Sequence, residues 1–579
     1  MPRSHYYLTA GMAAMLLASC GHSVADRRAE NASEIVVTGQ RVDEEMAARV
    51  DKSSDASIVD MIAPSPYSPP PPPPPPPAIA VGGVMQRFAT EQGMPMPPYY
   101  HDVGRDKFTS VAQNPFKVAR EDPVSTFSID VDTASYSFVR GSLNRNLLPQ
   151  PAAVRTEEMV NYFPYDYASP RSAEQPFTSN IAVFPSPFTA GRKLVRIGIK
   201  GFAIQRATRP RANLVFLIDT SGSMNEPYKL PLVKQSLAML VNQLDANDRV
   251  SIVTYAGYAG TALEPTPASD KGRILAAIEQ LGAGGGTAGA EGIRQAYALA
   301  ERNFDAKGVN RVILSTDGDF NIGITNQDEL KGYIERERDK GVFLSVLGFG
   351  MGNYKDALMQ ALAQNGNGTA AYIATIGEAR KTLVEEATST LFPIAKDVKI
   401  QVEFNPATVA EYRLIGYETR LLNRDDFDND KVDAGDVGSG QTVTALYEIV
   451  PVGGPRSIGD LRYAKPTRAV ASGGSEYGFV KIRYKLPNST TSRLISTSIS
   501  HASEVARFDQ APQDARFAAS VAAFAELLRG GKYNGALRYD DVLRMAEGSR
   551  GDDRFGYRAE FLAMVRAAKV AAPLQSAER

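Results

Sequence analysis

The sequence is poor in the residues that build disulfides and histidine metal sites. Cys20 is the only cysteine among 579 residues, so no disulfide can form within the chain. The four histidines are scattered, without an HExxH or His-x-His pair, which argues against a zinc site built on histidine. The formal net charge is −1 and no basic block stands out, so we expect no nucleic-acid partner.

Long apolar segments are also lacking. No stretch after the N-terminus is long and apolar enough for a transmembrane helix. The hydrophobic content of 43% and charged content of 22% are those of globular proteins. Because a chain of this length is too long for one hydrophobic core, we expect several domains.

The N-terminus has the features of an export signal. An apolar run over 8–18 has signal-peptide length and ends in the letters LASC at Cys20. This ending resembles the bacterial lipobox, which implies a signal peptide over 1–20 and a lipid on Cys20 that anchors the chain in a membrane. Gly21 follows instead of an aspartate, and by resemblance to the usual sorting rule this favours the outer membrane, facing the periplasm. An ordinary signal peptide that contains a cysteine is the alternative.

Residues 21–112 are polar and rich in proline, which predicts a disordered tether. The unbroken prolines over 69–77 predict an extended polyproline II spacer. The β-branched run over 34–41 suits strand addition to the edge of a partner's sheet, and it resembles a TonB box. A chance apolar patch is the alternative interpretation of that run.

Residues 113–205 are predicted to form a small α+β domain, with a strand near 127, a helix from there through Leu147 and a β-hairpin over 178–204. Asp130 and Asp132 resemble the DxDxT strand end of HAD-type phosphatases, in which the first aspartate is the nucleophile. The threonine comes one residue too early here. We therefore interpret the two aspartates as structural, capping the following helix.

Residues 211–392 alternate between short apolar runs and helical patterns. This alternation predicts the α/β class, with a doubly wound, mostly parallel sheet. The predicted strands are 213–218, 249–255, 261–263, 311–315, 342–347 and 370–373, and a helix is predicted over 376–389. Ligands of such sheets bind at the carboxyl ends of the strands.

Three loops at that edge offer oxygen ligands. The first carries Asp219, Ser221 and Ser223, the second carries Thr287, and the third carries Asp317. Carboxylate and hydroxyl oxygens suit Mg²⁺, Mn²⁺ or Ca²⁺ rather than Zn²⁺. Capping of helix N-termini could explain one of the serines, but it does not explain the whole set.

The five positions resemble the metal-ion-dependent adhesion site (MIDAS) of von Willebrand factor type A (VWA) and integrin I domains. The resemblance implies that the two serines and the threonine bind the metal directly, while the aspartates act largely through water. Few charged ligands would leave the cation underneutralised, so we expect a partner, an envelope protein, to supply a carboxylate. Asp319 is an extra acid beside the site and is expected to face water.

Residues 396–579 are predicted to form a β-rich, sandwich-like domain that ends in helices. The predicted strands include 398–404, 442–449 and 477–484, and the predicted helices are 517–528, 538–547 and 557–570. This segment and 113–205 resemble the domains that flank the VWA domain in one bacterial family. We expect the two flanking segments to pack together beside the central domain.

These features favour an envelope lipoprotein that uses a divalent cation at a VWA domain for protein binding, adhesion or scaffolding. We expect no enzyme, because the chain has no GxSxG motif, P-loop or cysteine nucleophile. Two alternatives stay open. One is a metal-dependent hydrolase or phosphatase that uses the Asp219 site or the pair Asp130 and Asp132. The other is a purely structural lipoprotein in which the metal only stabilises the fold.

Overall fold

The computed structural model describes residues 108–318, 327–350, 356–459 and 474–576. The predictions for the signal peptide, Cys20, the run over 34–41, the polyproline spacer and Asp319 lie outside the described residues. Within those four ranges, no helix has both the length and the apolar character needed to cross a membrane.

The described part of the segment before the central domain contributes two α-helices and four strands. They are β1 (Lys117–Val118), β2 (Val124–Ser128), α1 (Ala134–Leu143), α2 (Thr156–Asn161), β3 (Phe177–Pro185) and β4 (Lys193–Gly201). The predicted hairpin is confirmed, because β3 and β4 pair in antiparallel register. The prediction that the first helix runs through Leu147 is wrong: the helix ends at Leu143, and Asn146 turns the chain with a φ of 59°.

The central segment folds as a three-layer α/β domain. Its strands are β5 (Ala212–Asp219), β6 (Arg249–Tyr255), β7 (Ala259–Pro267), β8 (Val309–Thr316), β9 (Val342–Phe349) and β10 (Ala370–Ile373). Its helices are α3 (Leu230–Gln243), α4 (Lys271–Glu279), α5 (Gly289–Arg302), α6 (Gln327–Asp339), α7 (Asp356–Asn365), α8 (Ile376–Arg380) and α9 (Ala387–Leu391). The strand order is β10-β9-β8-β5-β6-β7, with every pair parallel except β6 and β7. The predicted doubly wound, mostly parallel sheet is confirmed.

Helices cover both faces of this sheet, which explains why every residue of β5 is buried. Alternate side chains of a strand point to opposite faces. Phe216 accordingly packs in a core with α3 and α4, whereas Leu217 packs in a second core with α5, α6 and α7.

The predicted helix over 376–389 is interrupted in the structure. A π-helical turn over Lys381–Glu385 separates α8 from α9. The ammonium of Lys381 lies over the ring of Tyr162, and the Tyr557 hydroxyl donates to Glu385. The turn therefore lies where the central domain contacts both flanking segments.

The segment after the central domain contributes six strands and three α-helices to the described residues. They are β11 (Pro393–Phe404), β12 (Val409–Ile415), β13 (Gly435–Gly438), β14 (Thr442–Pro451), β15 (Glu476–Lys485), β16 (Ser492–Ser500), α10 (Gln513–Leu528), α11 (Tyr539–Glu547) and α12 (Tyr557–Ser576). They include all the strands and helices predicted for this segment.

The two flanking segments share their sheets. One sheet has the order β1-β12-β14-β4-β3, and the other has the order β13-β11-β15-β16 with β2 also paired to β11. Side chains of both sheets, including Ile197, Val402 and Tyr447, meet in one core, so the sheets form a sandwich. Helices α1, α2 and α10 to α12 cover the outer face of the first sheet. The two segments thus pack together, as expected, and the central domain is inserted between β4 and β11.

Candidate metal centre

The predicted metal residues lie at the carboxyl edge of the central sheet. Asp219 is the last residue of β5, and Asp317 follows the neighbouring strand β8. Both aspartates are buried. Because the ends of adjacent parallel strands meet at one edge, the fold places the two carboxylates side by side.

Both oxygens of the Asp219 carboxylate accept hydrogen bonds from protein donors. Its Oδ1 accepts from the backbone N–H of Ser221 at 2.9 Å. Its Oδ2 accepts from the Tyr255 hydroxyl at 3.1 Å and from the Thr316 hydroxyl at 3.3 Å. Burial raises the pKa of Asp219 to about 6, and the hydrogen bonds from Ser221 partly offset that rise. A carboxylate with both oxygens occupied suits contact with a cation through water rather than direct coordination.

The two serines present adjacent hydroxyl oxygens. Ser221 Oγ and Ser223 Oγ are 3.1 Å apart, with Ser221 buried and Ser223 exposed. Neighbouring ligands of an octahedral ion with bonds of about 2.1 Å are separated by roughly 3.0 Å. The spacing and the hard oxygen donors therefore fit a small divalent cation such as Mg²⁺.

The loop that carries Thr287 is held against the serine loop by backbone hydrogen bonds. Gly222 N donates to Gly285 O at 3.1 Å, and Gly284 N donates to Thr220 O at 2.8 Å. Gly285 has a φ of 85°, a conformation that favours glycine. The glycine-rich sequence thus allows the close approach that brings the half-buried Thr287 to the same edge.

The fold brings all five predicted residues to one edge, and their role as metal ligands stays a prediction. No group of three or more His, Cys, Asp or Glu side chains is placed to hold a metal in the part of the chain that the structure describes. The predicted site contains only two such residues and depends on hydroxyl groups, so this observation does not bear against it.

Sequence reasoning missed three residues of the site, namely Lys229, Tyr255 and Thr316. The buried Lys229 Nζ donates to Ser223 O at 2.9 Å and to Asp317 Oδ2 at 3.0 Å. The sequence could have indicated Tyr255 and Thr316, because each is the last residue of a strand next to β5 and so lies at the ligand-binding edge. Lys229 precedes α3, and only the folded loop shows where its ammonium group lies.

Asp130 and Asp132 lie away from this edge, in the flanking body that the two flanking segments form together, and Asp132 contacts the central domain. Both pair with Arg420, at 2.9 Å and 3.1 Å, and Asp132 Oδ1 accepts from Ala370 N of β10 at 2.8 Å. The interpretation that they cap the following helix is wrong, because the N-cap residue of α1 is Thr133 and no side chain caps it. Burial and the neighbouring Asp130 raise the pKa of Asp132 well above its usual range.

Family models match most of the described chain. The model of the von Willebrand factor type A domain matches residues 213–386. A model described as von Willebrand factor matches 102–196, and one described as Uncharacterized protein YfbK, C-terminal, matches 389–570. VWA domains often bind a divalent metal at the MIDAS motif, and they indicate a protein-binding or adhesion-type function.

The chain is also similar to individual proteins. The chain is 41% identical to Uncharacterized protein YfbK of Escherichia coli (strain K12) over 469 residues, which cover 80% of this chain and 81% of that protein. It is similar to a solved von Willebrand factor type A structure from Catenulispora acidiphila, at 15% identity and a TM-score of 0.39, over 68% of this chain and 91% of that one. It is also similar to proximal thread matrix protein 1 from the mussel byssus, solved with a zinc-occupied MIDAS motif, at 22% identity and a TM-score of 0.27, over 31% of this chain and 46% of that one.

Proposed function

Because this chain belongs to the family of VWA-domain proteins that includes YfbK, we propose that it binds a protein partner through a divalent cation at the edge of its central sheet. The observation that carries the proposal is the convergence of two buried carboxylates and the Ser221 and Ser223 hydroxyls at that edge. Such a set of oxygen atoms suits a hard cation. Because few carboxylates would coordinate the cation directly, part of its charge would stay unneutralised.

The five residues would have two different roles in binding the cation. The hydroxyls of Ser221, Ser223 and Thr287 would contact it directly, and Asp219 and Asp317 would act through water. The cation supplies an electrophilic position for an anionic group, so the partner would present a Glu or Asp carboxylate. Mg²⁺ is the ion that we favour, with Mn²⁺ and Ca²⁺ as the other hard cations that this donor set suits.

Two exposed tyrosines border the same edge and support a binding role. Tyr258 is 79% exposed, and Tyr228 is 45% exposed. Tyr258 lies in the turn after β6. In the same turn, Ala256 O accepts a hydrogen bond from the backbone N–H of Ala288, the residue after Thr287. Tyr228 directly precedes Lys229, which bonds to Asp317. Tyrosine is enriched among the residues that dominate binding energy at interfaces, so these two side chains suit an apolar group beside the partner's carboxylate.

The membrane part of the proposal rests on Cys20. A lipid on this residue would hold the chain at the outer membrane, facing the periplasm. If so, the full chain will sediment with membranes, and a Cys20→Ala variant will move to the soluble fraction. Equal membrane association of the two chains would contradict lipid anchoring at Cys20.

Catalysis has less support than binding. The hydrolase alternative needs a carboxylate that can attack, but Arg420 pairs with both Asp130 and Asp132. Asp132 also accepts from the backbone of β10, which suits a structural role. We therefore propose a protein that binds and does not catalyse. A hydrolytic activity that survives Asp219→Ala but is lost in Asp130→Asn would overturn this choice.

The test of the binding proposal is capture of an envelope partner by the full chain in Mg²⁺ or in EDTA. We compare the wild-type chain with Thr287→Ala, which removes a proposed ligand, and with Thr287→Ser, the matched control that keeps the hydroxyl. The proposal predicts a partner that is retained only in Mg²⁺, is released by free aspartate, and is lost with Thr287→Ala but kept with Thr287→Ser. A partner retained equally by all three chains would favour the purely structural alternative, in which the metal only stabilises the fold.

A further inference from the structure

Lys229 places a positive charge inside the predicted metal site. Its side chain is 7% exposed, and the Asp317 side chain to which it bonds is fully buried. The same ammonium group donates to the carbonyl of Ser223, one of the two serines. One side chain thus connects the serine loop to the second acidic loop.

The stem of Lys229 is held in place by the strand end on its other side. A Cβ built on Gly350, just after β9, would lie 2.7 Å from Lys229 Cγ and 2.8 Å from its Cε. Gly350 also has a φ of 80°, so glycine suits this position on two grounds. Because the stem packs so closely there, the ammonium group stays at Asp317 instead of extending into solvent.

We propose that Lys229 is a built-in counter-charge that makes the metal site select an anionic partner. This inference rests on the proposed function, because it concerns the same cation and the same partner. It adds a residue that sets specificity, which the five-residue motif does not contain.

The charges at the site favour an anionic partner. Asp219 and Asp317 contribute two negative charges, which a divalent cation would balance. Lys229 adds one positive charge, so the loaded site would carry a net charge of about +1 in a poorly solvated environment. A carboxylate from the partner restores neutrality, whereas a neutral ligand does not. Lys229 would thus weaken binding of the bare cation and strengthen binding of the cation together with an anion.

The experiment is calorimetric titration of the full chain with Mn²⁺, alone and in saturating acetate as the carboxylate probe. Lys229→Met keeps the length of the side chain, and Lys229→Gln keeps a hydrogen-bond donor, while both remove the charge. Lys234→Met is the matched control: it makes the same change of charge on α3, where Lys234 donates to Glu279 O at 2.6 Å. Thermal melts verify that each variant is folded.

The inference predicts two opposite shifts in the charge-removing variants. Mn²⁺ alone should bind about tenfold more tightly than it does to the wild-type chain, because a nearby like charge has been removed. Acetate should tighten Mn²⁺ binding to the wild-type chain about fivefold and to the variants much less. Lys234→Met should match the wild-type chain in both measurements.

The outcomes separate this inference from the proposed function. If the Lys229 variants bind Mn²⁺ with unchanged or weaker affinity, or keep the full acetate effect, the counter-charge role is wrong. The proposed function still stands in that case, provided that Asp219→Asn abolishes Mn²⁺ binding. If neither the wild-type chain nor any Lys229 variant binds Mn²⁺, the metal site itself is wrong and both proposals fall.

Discussion

Glu157 is a buried carboxyl group whose protonation links the stability of the flanking body to pH. Its Oε2 accepts from Tyr417 N at 2.9 Å, and the residue is buried. Burial raises the pKa of Glu157 to about 8, and the neighbouring Glu418 adds to the rise. Since the ordinary value is about 4.3, the folded chain holds one more proton than the unfolded chain between these two values. The stabilisation that the raised pKa of Glu157 gives to the folded chain is complete below pH 4 and is lost as the pH rises to 8.

We expect Glu157→Gln to flatten that decline. The amide is neutral at every pH and can still accept from Tyr417 N, so the variant should gain stability relative to the wild-type chain as the pH rises from 5 to 8. Urea unfolding midpoints at several pH values measure this. If the urea midpoints of the two chains changed with pH in parallel, Glu157 would not titrate above its ordinary range in the folded state.

At the level of single residues, the sequence predicted all five motif positions, including the two on separate loops, but not the side chains that contact them. Asp219, Ser221 and Ser223 are near neighbours in the chain, so their proximity is local. The hydrogen bond from Tyr255 to Asp219 and the ion pair of Lys229 with Asp317 depend on how separate loops meet. No spacing in the sequence encodes those two contacts.

Among the elements of the central domain, the predictions are closest for strands covered on both faces. The predicted strands 249–255 and 370–373 match β6 and β10 residue for residue. Short runs rich in apolar, β-branched and aromatic residues, bounded by turns, define such strands clearly. The interrupted helix over 376–389 was not predictable, because its π-helical turn coincides with contacts to Tyr162 and Tyr557, which belong to distant segments.

The packing of α5 on β6 gives a prediction about the support of the metal site. A Cβ at Gly292 would lie 2.9 Å from the Cβ of Tyr255, the residue that donates to Asp219. Gly292→Ala should therefore push α5 away from β6 and lower the free energy of unfolding by about 1–3 kcal/mol. Chemical denaturation measures the change.

Gly332→Ala on α6 is the matched control for that substitution. Its Cβ would meet only the flexible end of Arg336, at 3.5 Å. Alanine is the better helix former, so this variant should gain about 0.5–1 kcal/mol. Equal effects of the two substitutions would contradict the close packing of α5 on Tyr255.

At the scale of the described chain, segments that are far apart in the sequence contribute strands to the same sheets. Residues 193–200 of β4 pair with residues 442–449 of β14, on either side of the inserted central domain. The sequence pattern predicted the strands themselves, but it did not predict which strands pair with each other. Strand pairing across such a distance depends on the whole sandwich core, for which a single sequence contains no local signal.

Arg155 joins the flanking body to the central domain by pairing with Asp356 at 2.6 Å and with Glu158. Both carboxylates are almost inaccessible to solvent. Arg155→Met leaves these two buried charges without their guanidinium partner, so we expect a loss of about 3–5 kcal/mol in the free energy of unfolding. Arg145→Met, at an exposed position after α1, should change it by about 0.5 kcal/mol or less. Denaturant melts of both variants test this, and a similar small effect of each would argue that the ion pair does not join the two bodies.

Both proposals depend on binding of a divalent cation at the carboxyl edge of the central sheet. Its most direct test is thermal unfolding of the full chain in EDTA and in Mg²⁺, beside Asp219→Asn, which keeps the shape of the side chain but removes its charge. A cation at a hundredfold excess over its Kd should stabilise the wild-type chain by about 2.7 kcal/mol and leave the variant unchanged. Equal melting temperatures of the wild-type chain in EDTA and in Mg²⁺, or equal stabilisation of both chains by Mg²⁺, would contradict cation binding at this edge.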